Sequence, residues 1–224
     1  TCLAKSSLVF HNLLLTLNFL RHYPQYHYGA VTWRINYKKY QQIVWHVLQV
    51  LNDCVYFEFN DRFKQQPPIG MFEGNLSIVD ASEFEVQQPQ GWENQKVYYS
   101  SKKKIHGLKY QIIVRASDGF IIDLSDGYPC SIHDKKIFDF WLEKYEHSLL
   151  MSEVVGADKG YHGALRCYTP YKASKGVKLV EAEKKFNYVF GQARCLVEQT
   201  IGRLKIFRCL QDVWRHSFDK HAIV

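Results

Sequence analysis

The first fifty positions carry apolar residues at helical spacing. From Ser6 to Tyr23 the residues Leu8, Leu13, Leu14, Leu17, Phe19 and Leu20 give one broad apolar face, and Ser6 or Ser7 can cap its start. Pro24 blocks continuation, and Gln25 to Trp33 fits a short second helix. Asn36 is a natural N-cap for a third helix, from Tyr37 to about Leu51, with Tyr40, Ile43, Val44, Val47, Leu48 and Leu51 inward. Asn60 to Gly74, with Pro67-Pro68 and Gly70, reads as a linker.

The period then changes from helical to extended. Leu76 to Val79 is an apolar run, Glu83 to Gln87 alternates, and Gln88 to Lys96, with Pro89 and Gly91, reads as a turn. Val97 to Ser101, Leu108 to Arg115 and Phe120 to Leu124 read as antiparallel strands, with Ser117-Asp118-Gly119 as a hairpin turn. Next come a helix from Ser131 to His147, a short buried strand from Glu153 to Ala157 and a loop from Ala164 to Leu179. A long helix from Glu181 to Leu210, broken near Asn187 or Gly191, closes the pattern. Three antiparallel strands, a helix, a fourth strand and a late helix are the order of an RNase H-like fold. The expected class is mixed α/β. An RNase H-like catalytic domain over 76–224 is preceded by a small all-helical domain over 1–60 and a linker over 61–75.

A long helix, a short helix, a turn and an amphipathic helix match helix-turn-helix organisation. The exposed side of the third helix offers Lys38, Lys39, Gln41, Gln42 and His46, types that contact phosphates and base edges. An ordinary helical bundle with a solvated polar face fits the same pattern.

Composition narrows the partners. The 224 residues are 46% hydrophobic, enough for a core in one or two domains. A formal charge of +7 and a pI of about 9.0 point to a polyanion, nucleic acid first, although a basic protein without such a partner has the same balance. Most of the fifteen Tyr and five Trp belong in a core, with a minority available to stack on bases. Six cysteines without a C-x-x-C pair argue against a zinc ribbon and a disulfide framework, so reduced thiols and an intracellular location follow. No apolar stretch is long enough to span a bilayer, so no membrane partner is expected. A start at Thr1 and a stop at Val224, where a new apolar pattern begins, are expected of a fragment truncated at its C-terminus.

Three acids carry the candidate chemistry. Asp80 and Asp158 each end a short apolar, β-branched run, and Glu198 sits within the long helical pattern. Two carboxylates at strand ends and one from a packed helix can converge. Hard divalent cations, Mg²⁺ or Mn²⁺, prefer such oxygen ligands, and the arrangement suits in-line displacement at a phosphodiester by a two-metal route. Arg194, Glu198 and Lys205 fall on one helical stripe, which is also the pattern of a surface ion-pair ladder. Lys102, Lys103, Lys104, His106 and Lys109 form a basic turn between strands, read either as a phosphate-contacting hairpin or as a solvated charge run. His133-Asp134 opens a helix, where Asp134 can serve as a cap or as a first-turn acid.

The order of these pieces resembles the DDE superfamily endonucleases, the transposases of insertion sequences and of Harbinger-type elements. The matching segments are Ile78-Val79-Asp80, Tyr99-Ser100-Ser101-Lys102-Lys103-Lys104-Ile105-His106-Gly107-Leu108-Lys109, Gly127-Tyr128-Pro129 with Ser131-Ile132-His133-Asp134, Ala157-Asp158-Lys159-Gly160-Tyr161, and the helix carrying Arg194, Glu198 and Lys205. Leu13 to Pro24 resembles the helix-turn-helix that precedes the catalytic domain in that family. This chain has Ala81-Ser82 where the family often has Gly-Thr, Ser101 where it often has Gly, and Gly191 where related helices often carry Tyr. The resemblance implies a metal-dependent endonuclease and transposase with Asp80, Asp158 and Glu198 as catalytic and metal-binding acids, and with Asp134 as a further candidate ligand. It implies DNA contacts from Lys38, Lys39, Gln42, Lys102, Lys103, Lys104, His106, Lys109, Arg194 and Lys205. The expected partners are transposon ends and target DNA, with a homo-oligomer assembled on them, in the nucleus if the source is eukaryotic. The rival expectation is a domesticated, catalytically silent derivative that binds DNA or protein.

Overall fold

A computed structural model of the protein describes residues 2–54, 59, 62–63, 76–173 and 178–224. The chain falls into two compact units, one of residues 1–56, 84–87 and 204–224, the other of residues 57–83 and 88–203. The expected boundaries differ from these. Segments 84–87 and 204–224 group with the N-terminal helices, not with the sheet. Most of the expected linker, Pro67-Pro68 included, lies outside the described residues. Phe59 and Arg62 are buried in the sheet unit. Arg62 Nε donates to Glu153 Oε1 at 3.0 Å, and its Nη1 donates to the Phe59 carbonyl at 2.7 Å. A buried guanidinium needs such partners, so Phe59 and Arg62 belong to the core of this unit.

In the helical unit, α1 (Cys2–His22), α2 (Tyr26–Thr32) and α3 (Tyr37–Cys54) follow the expected order. Asn36 caps α3, its Oδ1 accepting the Lys38 N–H at 2.8 Å. Among the described side chains of α1 the buried ones are Leu15, Thr16 and Phe19, whereas Leu8, Leu14 and Leu17 of the expected apolar face are exposed. Apolar residues surround this helix, so its sequence does not single out the buried stripe. Gly29 of α2 lets Tyr40 of α3 come close, because a Cβ there would stand 2.4 Å from the Tyr40 ring. The C-terminal segment adds α7 (Arg208–Gln211) and α8 (Phe218–His221). Trp214 stacks on Tyr23 with ring centroids 5.8 Å apart, and Arg215 lies 4.0 Å over the same ring. Val86 forms an isolated bridge with Trp214.

The other unit is built on a sheet of seven strands among the described residues. These are β1 (Leu76–Glu85), β2 (Tyr99–Ser100), β3 (Ile105–Arg115), β4 (Ile121–Leu124), β5 (Tyr128–Pro129), β6 (Val154–Ala157) and β7 (Cys167–Tyr168). The order is β2-β3-β1-β6-β7, with β4 and β5 paired antiparallel to β3. The β1–β6 and β6–β7 pairs are parallel. Helices α4 (Trp92–Tyr98), α5 (Asp134–Tyr145) and α6 (Glu181–Leu204) complete the set. The class is mixed α/β, with the element order of an RNase H-like domain and a helical region before it.

Four details differ from the pattern reading. The runs 76–79 and 83–87 belong mainly to one continuous strand, β1. The stretch read as a turn around Pro89 and Gly91 contains α4, and the expected loop 164–179 contains β7. Helix α6 is unbroken at Asn187 and Gly191, because the Asn187 amide turns outward to the Tyr171 backbone and leaves the helical ladder intact.

Strand alternation separates two faces. Val79, Val155 and Ala157 pack in one core with Phe138 and Trp141 of α5. On the other face a Cβ at Gly156 would stand 2.7 Å from the Phe190 ring of α6 and 2.8 Å from Ile78 Cδ1. Glycine at 156 therefore lets α6 lie close to the sheet. The hairpin turn before β4 docks on α6 as well, with Thr200 Oγ1 donating to the Gly119 carbonyl at 3.2 Å.

Candidate active site

The β1–β6 register runs from Leu76↔Val154 to Val79↔Ala157. The next residue on each strand is an aspartate, Asp80 or Asp158. Strand β6 ends there, and Asp158 becomes the N-cap of a 3-10 turn over Lys159–Tyr161. Strand β1 continues past Asp80, so Asp80 lies within a strand rather than at its end. Its parity with Ile78 turns it toward the α6 face. The Ala81 N–H donates to Asp80 Oδ1 at 2.8 Å. Burial pushes the Asp80 carboxyl above the usual range, with Asp134 and Asp158 adding to the shift, while the Ala81 N–H and Arg194 oppose it.

Helix α6 buries Phe190, Ala193, Val197 and Thr200. The adjoining stripe projects Arg194 and Glu198. Arg194 Nη1 lies 3.5 Å from Asp158 Oδ1, and Nη2 lies 3.4 Å from Glu198 Oε1. The side chains of Asp158 and Glu198 are about half exposed, at 50% and 55%. The expected acids thus lie around one guanidinium, which ion-pairs with two of them and acts electrostatically on the third. Lys205 does not extend this stripe. Helix α6 ends at Leu204, and Lys205 Nζ lies 5.1 Å from the Phe84 ring in the helical unit.

A second charged group lies beside it. His133 caps α5, its Nδ1 accepting the Lys135 N–H at 3.3 Å, and Asp134 is the first helical residue. Lys109 Nζ sits 2.8 Å from Asp134 Oδ1, an ion pair without hydrogen-bond alignment, and donates to the Ile132 carbonyl at 2.8 Å. The same Nζ is 3.7 Å from Glu83 Oε1. Ser100 Oγ donates to Glu83 Oε2 at 2.8 Å, and Lys103 Nζ lies 3.9 Å from that oxygen. Lys109 is therefore an interior cation, unlike the other lysines of the basic turn. It sits in β3, a strand buried along nearly its whole length, where a charge must be paired. Glu83 is not among the expected site residues, because the polar–apolar alternation over 83–87 sets it on a par with Glu85.

The turn between β2 and β3 exposes Lys102, Lys103 and Lys104, while His106 is half-buried against Tyr99 at 5.4 Å. With Glu83, Lys109 and the Ser131–Asp134 segment it borders a cleft of about 290 Å³. Tyr161 is buried, and its hydroxyl has no hydrogen-bond partner among the described residues. Burial raises its pKa, as do Asp134, Asp80, Cys167 and Asp158. In the helical unit, Lys38, Lys39 and Gln42 are exposed on α3. Among the described residues no helix is long and apolar enough to cross a membrane.

The oxygen-only acids and the orphaned Tyr161 hydroxyl are chemically suited to a hard divalent ion and its polar surroundings. No three His, Cys, Asp or Glu side chains among the described residues are gathered closely enough to hold one. Asp158 and Glu198 are instead turned to Arg194, and Asp134 to Lys109.

The chain is 28% identical over 215 residues to a probable transposase for insertion sequence element IS702 from Microchaete diplosiphon, covering 94% of this chain and 75% of that protein. Residues 79–223 match the family model of the DDE superfamily endonucleases, a span that contains Asp80, Asp134, Asp158 and Glu198. The chain belongs to the DDE superfamily of endonucleases.

Proposed function

We propose that the chain is a divalent-metal-dependent DNA endonuclease and transposase, acting by phosphodiester hydrolysis followed by strand transfer. The observation that carries this reading is the register of β1 and β6. It brings two aspartates out together beyond Val79↔Ala157, on a sheet whose α6 supplies Arg194 and Glu198. Asp80 and Asp158 would hold the metal, Mg²⁺ or Mn²⁺, with Glu198 completing the set and Asp134 as a further candidate. A bound divalent ion polarises the phosphoryl group, makes a nucleophile available at neutral pH and stabilises the leaving oxygen.

The chain's own residues supply the rest. Lys102, Lys103 and Lys104 are exposed cations suited to tracking a phosphate backbone, and His106 flanks them. Lys109 holds Asp134 and Glu83 in place from below. The helical unit would act as a helix-turn-helix module reading sequence through Lys38, Lys39 and Gln42 of α3. The DNA partners would be element ends and target, bound by an intracellular homo-oligomer assembled on DNA.

A nicking assay with supercoiled DNA tests this. Asp80→Ala, Asp158→Ala and Glu198→Ala should each lower Mg²⁺-dependent cleavage by roughly a thousandfold or more. DNA binding should persist, because Lys and Arg contacts to phosphate supply most of it. Wild-type cleavage rates in any of the three would remove that acid from the mechanism.

A further inference from the structure

Arg194 is placed unusually for a residue that only meets DNA. Its side chain is 21% exposed, and its two terminal nitrogens face different carboxylates, Asp158 at 3.5 Å and Glu198 at 3.4 Å. One positive charge thus serves two carboxylates. Both contacts are longer than a well-made charged hydrogen bond, and both carboxylates are half exposed, so leaving them costs little. Lysine could not reproduce the arrangement, because a point ammonium lacks the planar fork that reaches two carboxylates at once.

We infer that Arg194 is a resident counter-cation that occupies the place of the divalent ion until the ion arrives. It holds Asp158 and Glu198 by the oxygens the ion needs, and it competes with the ion for them. Loading of the ion frees the guanidinium, whose natural next partner is an anionic phosphate. Metal occupancy and DNA engagement are then coupled through one side chain. This rests on the proposed metal-binding role of Asp80, Asp158 and Glu198.

The test is calorimetric titration of the full chain with Mn²⁺ in the absence of DNA, so that affinity is read apart from catalysis. Arg194→Gln keeps a similar length and removes the charge. It should tighten Mn²⁺ binding by roughly threefold to tenfold. Arg194→Lys, which keeps the charge but not the fork, should fall between wild type and Arg194→Gln. Thermal melts of both variants establish that they are folded. Unchanged or weaker Mn²⁺ binding in folded Arg194→Gln overturns the inference and leaves the metal site standing. Asp158→Asn provides the separate control. If it binds Mn²⁺ as wild type does, the metal-site reading fails, and the inference fails with it.

Discussion

The two units bury different kinds of side chain. In the sheet unit, charges are taken inside in pairs, Arg62 with Glu153, Arg115 with Asp118, and Lys109 with Glu83 and Asp134. In the helical unit the interior is aromatic. Phe19, Tyr23, Tyr26, Trp45, Trp214 and His216 form a continuous set of ring contacts drawn from both ends of the chain. Burial turns the titratable groups of that cluster neutral. His216 is pushed down to about 4 by burial, with Arg215 and Lys220 adding to the shift, and burial takes His221 to about 4 as well. The sheet unit retains ionised groups near a candidate reaction centre, whereas the helical unit derives its cohesion from apolar and aromatic packing. Mutations in the two units should therefore fail in different ways.

The largest effect is expected in the aromatic cluster. Trp214 is 1% exposed and packs on Tyr23, Trp45, His216 and His221. Trp214→Ala should cost roughly 3–5 kcal/mol in chemical denaturation. A loss below about 1 kcal/mol, the scale of an ordinary surface substitution, would show that the C-terminal segment is dispensable to the helical unit.

Acid is the next probe. The unfolded chain takes up a proton on His221 near pH 6.5, while the folded protein resists until about 4. The unfolded state therefore binds more protons in that window. The His221 contribution is full above pH 6.5 and is lost as pH falls toward 4, by roughly 3 kcal/mol. Denaturant melts at stepped pH should show this slope added to that of His216, and His221→Phe should remove its own part and leave the His216 part. Asp80 has the opposite sign. Its raised carboxyl keeps a proton in the folded state to higher pH than in the unfolded chain, so that contribution fades as pH rises through the folded value. An equal slope in His221→Phe would show that this histidine does not report the helical unit.

Smaller effects belong to backbone fit in the sheet unit. Gly156→Ala places a methyl 2.7 Å from Phe190 and 2.8 Å from Ile78, and should cost roughly 1–3 kcal/mol while pushing α6 from the sheet. Cleavage should fall more than stability, because Arg194 and Glu198 ride on that helix. Lys104 adopts φ 59 in the basic turn, a conformation that favours glycine. Lys104→Gly should stabilise the fold by roughly 0.5–1 kcal/mol and weaken DNA binding slightly, which separates strain from charge at one position. Thermal melts and a salt-dependent binding assay read the two quantities.

The sequence made different parts of the molecule legible for different reasons. The strand carrying Ile78-Val79-Asp80 and the strand before Asp158 were readable, because short β-branched runs that end on an acid are unusual in a core. Helix α3 was readable because Tyr40, Val44 and Leu48 repeat on one face and Asn36 caps it. Helix α4 was not, since it buries no residue and leaves no periodic trace beside the turn signals of Pro89 and Gly91. The interior role of Lys109 is hidden by its closeness to the run Lys102 to Lys104. Its neighbours Leu108, Tyr110 and Ile112 are all buried, and only the depth of β3 in the sheet distinguishes it from Lys102 to Lys104. No local pattern announces that Tyr23 and Tyr26 pack with Trp214 and His216, because such a pairing is settled by the fold as a whole.

The metal-site proposal is that a divalent ion binds among Asp80, Asp158 and Glu198 in the sheet unit. Iron-directed cleavage reads this directly. Fe²⁺ replaces Mg²⁺, ascorbate and peroxide generate hydroxyl radicals at the bound ion, and the chain is cut where its backbone lies nearest. Cuts should cluster near residues 80, 158 and 198, be lost in Asp80→Asn and be suppressed by excess Mg²⁺. Cuts confined to the helical unit, or cuts near residue 80 that persist in Asp80→Asn, would contradict it.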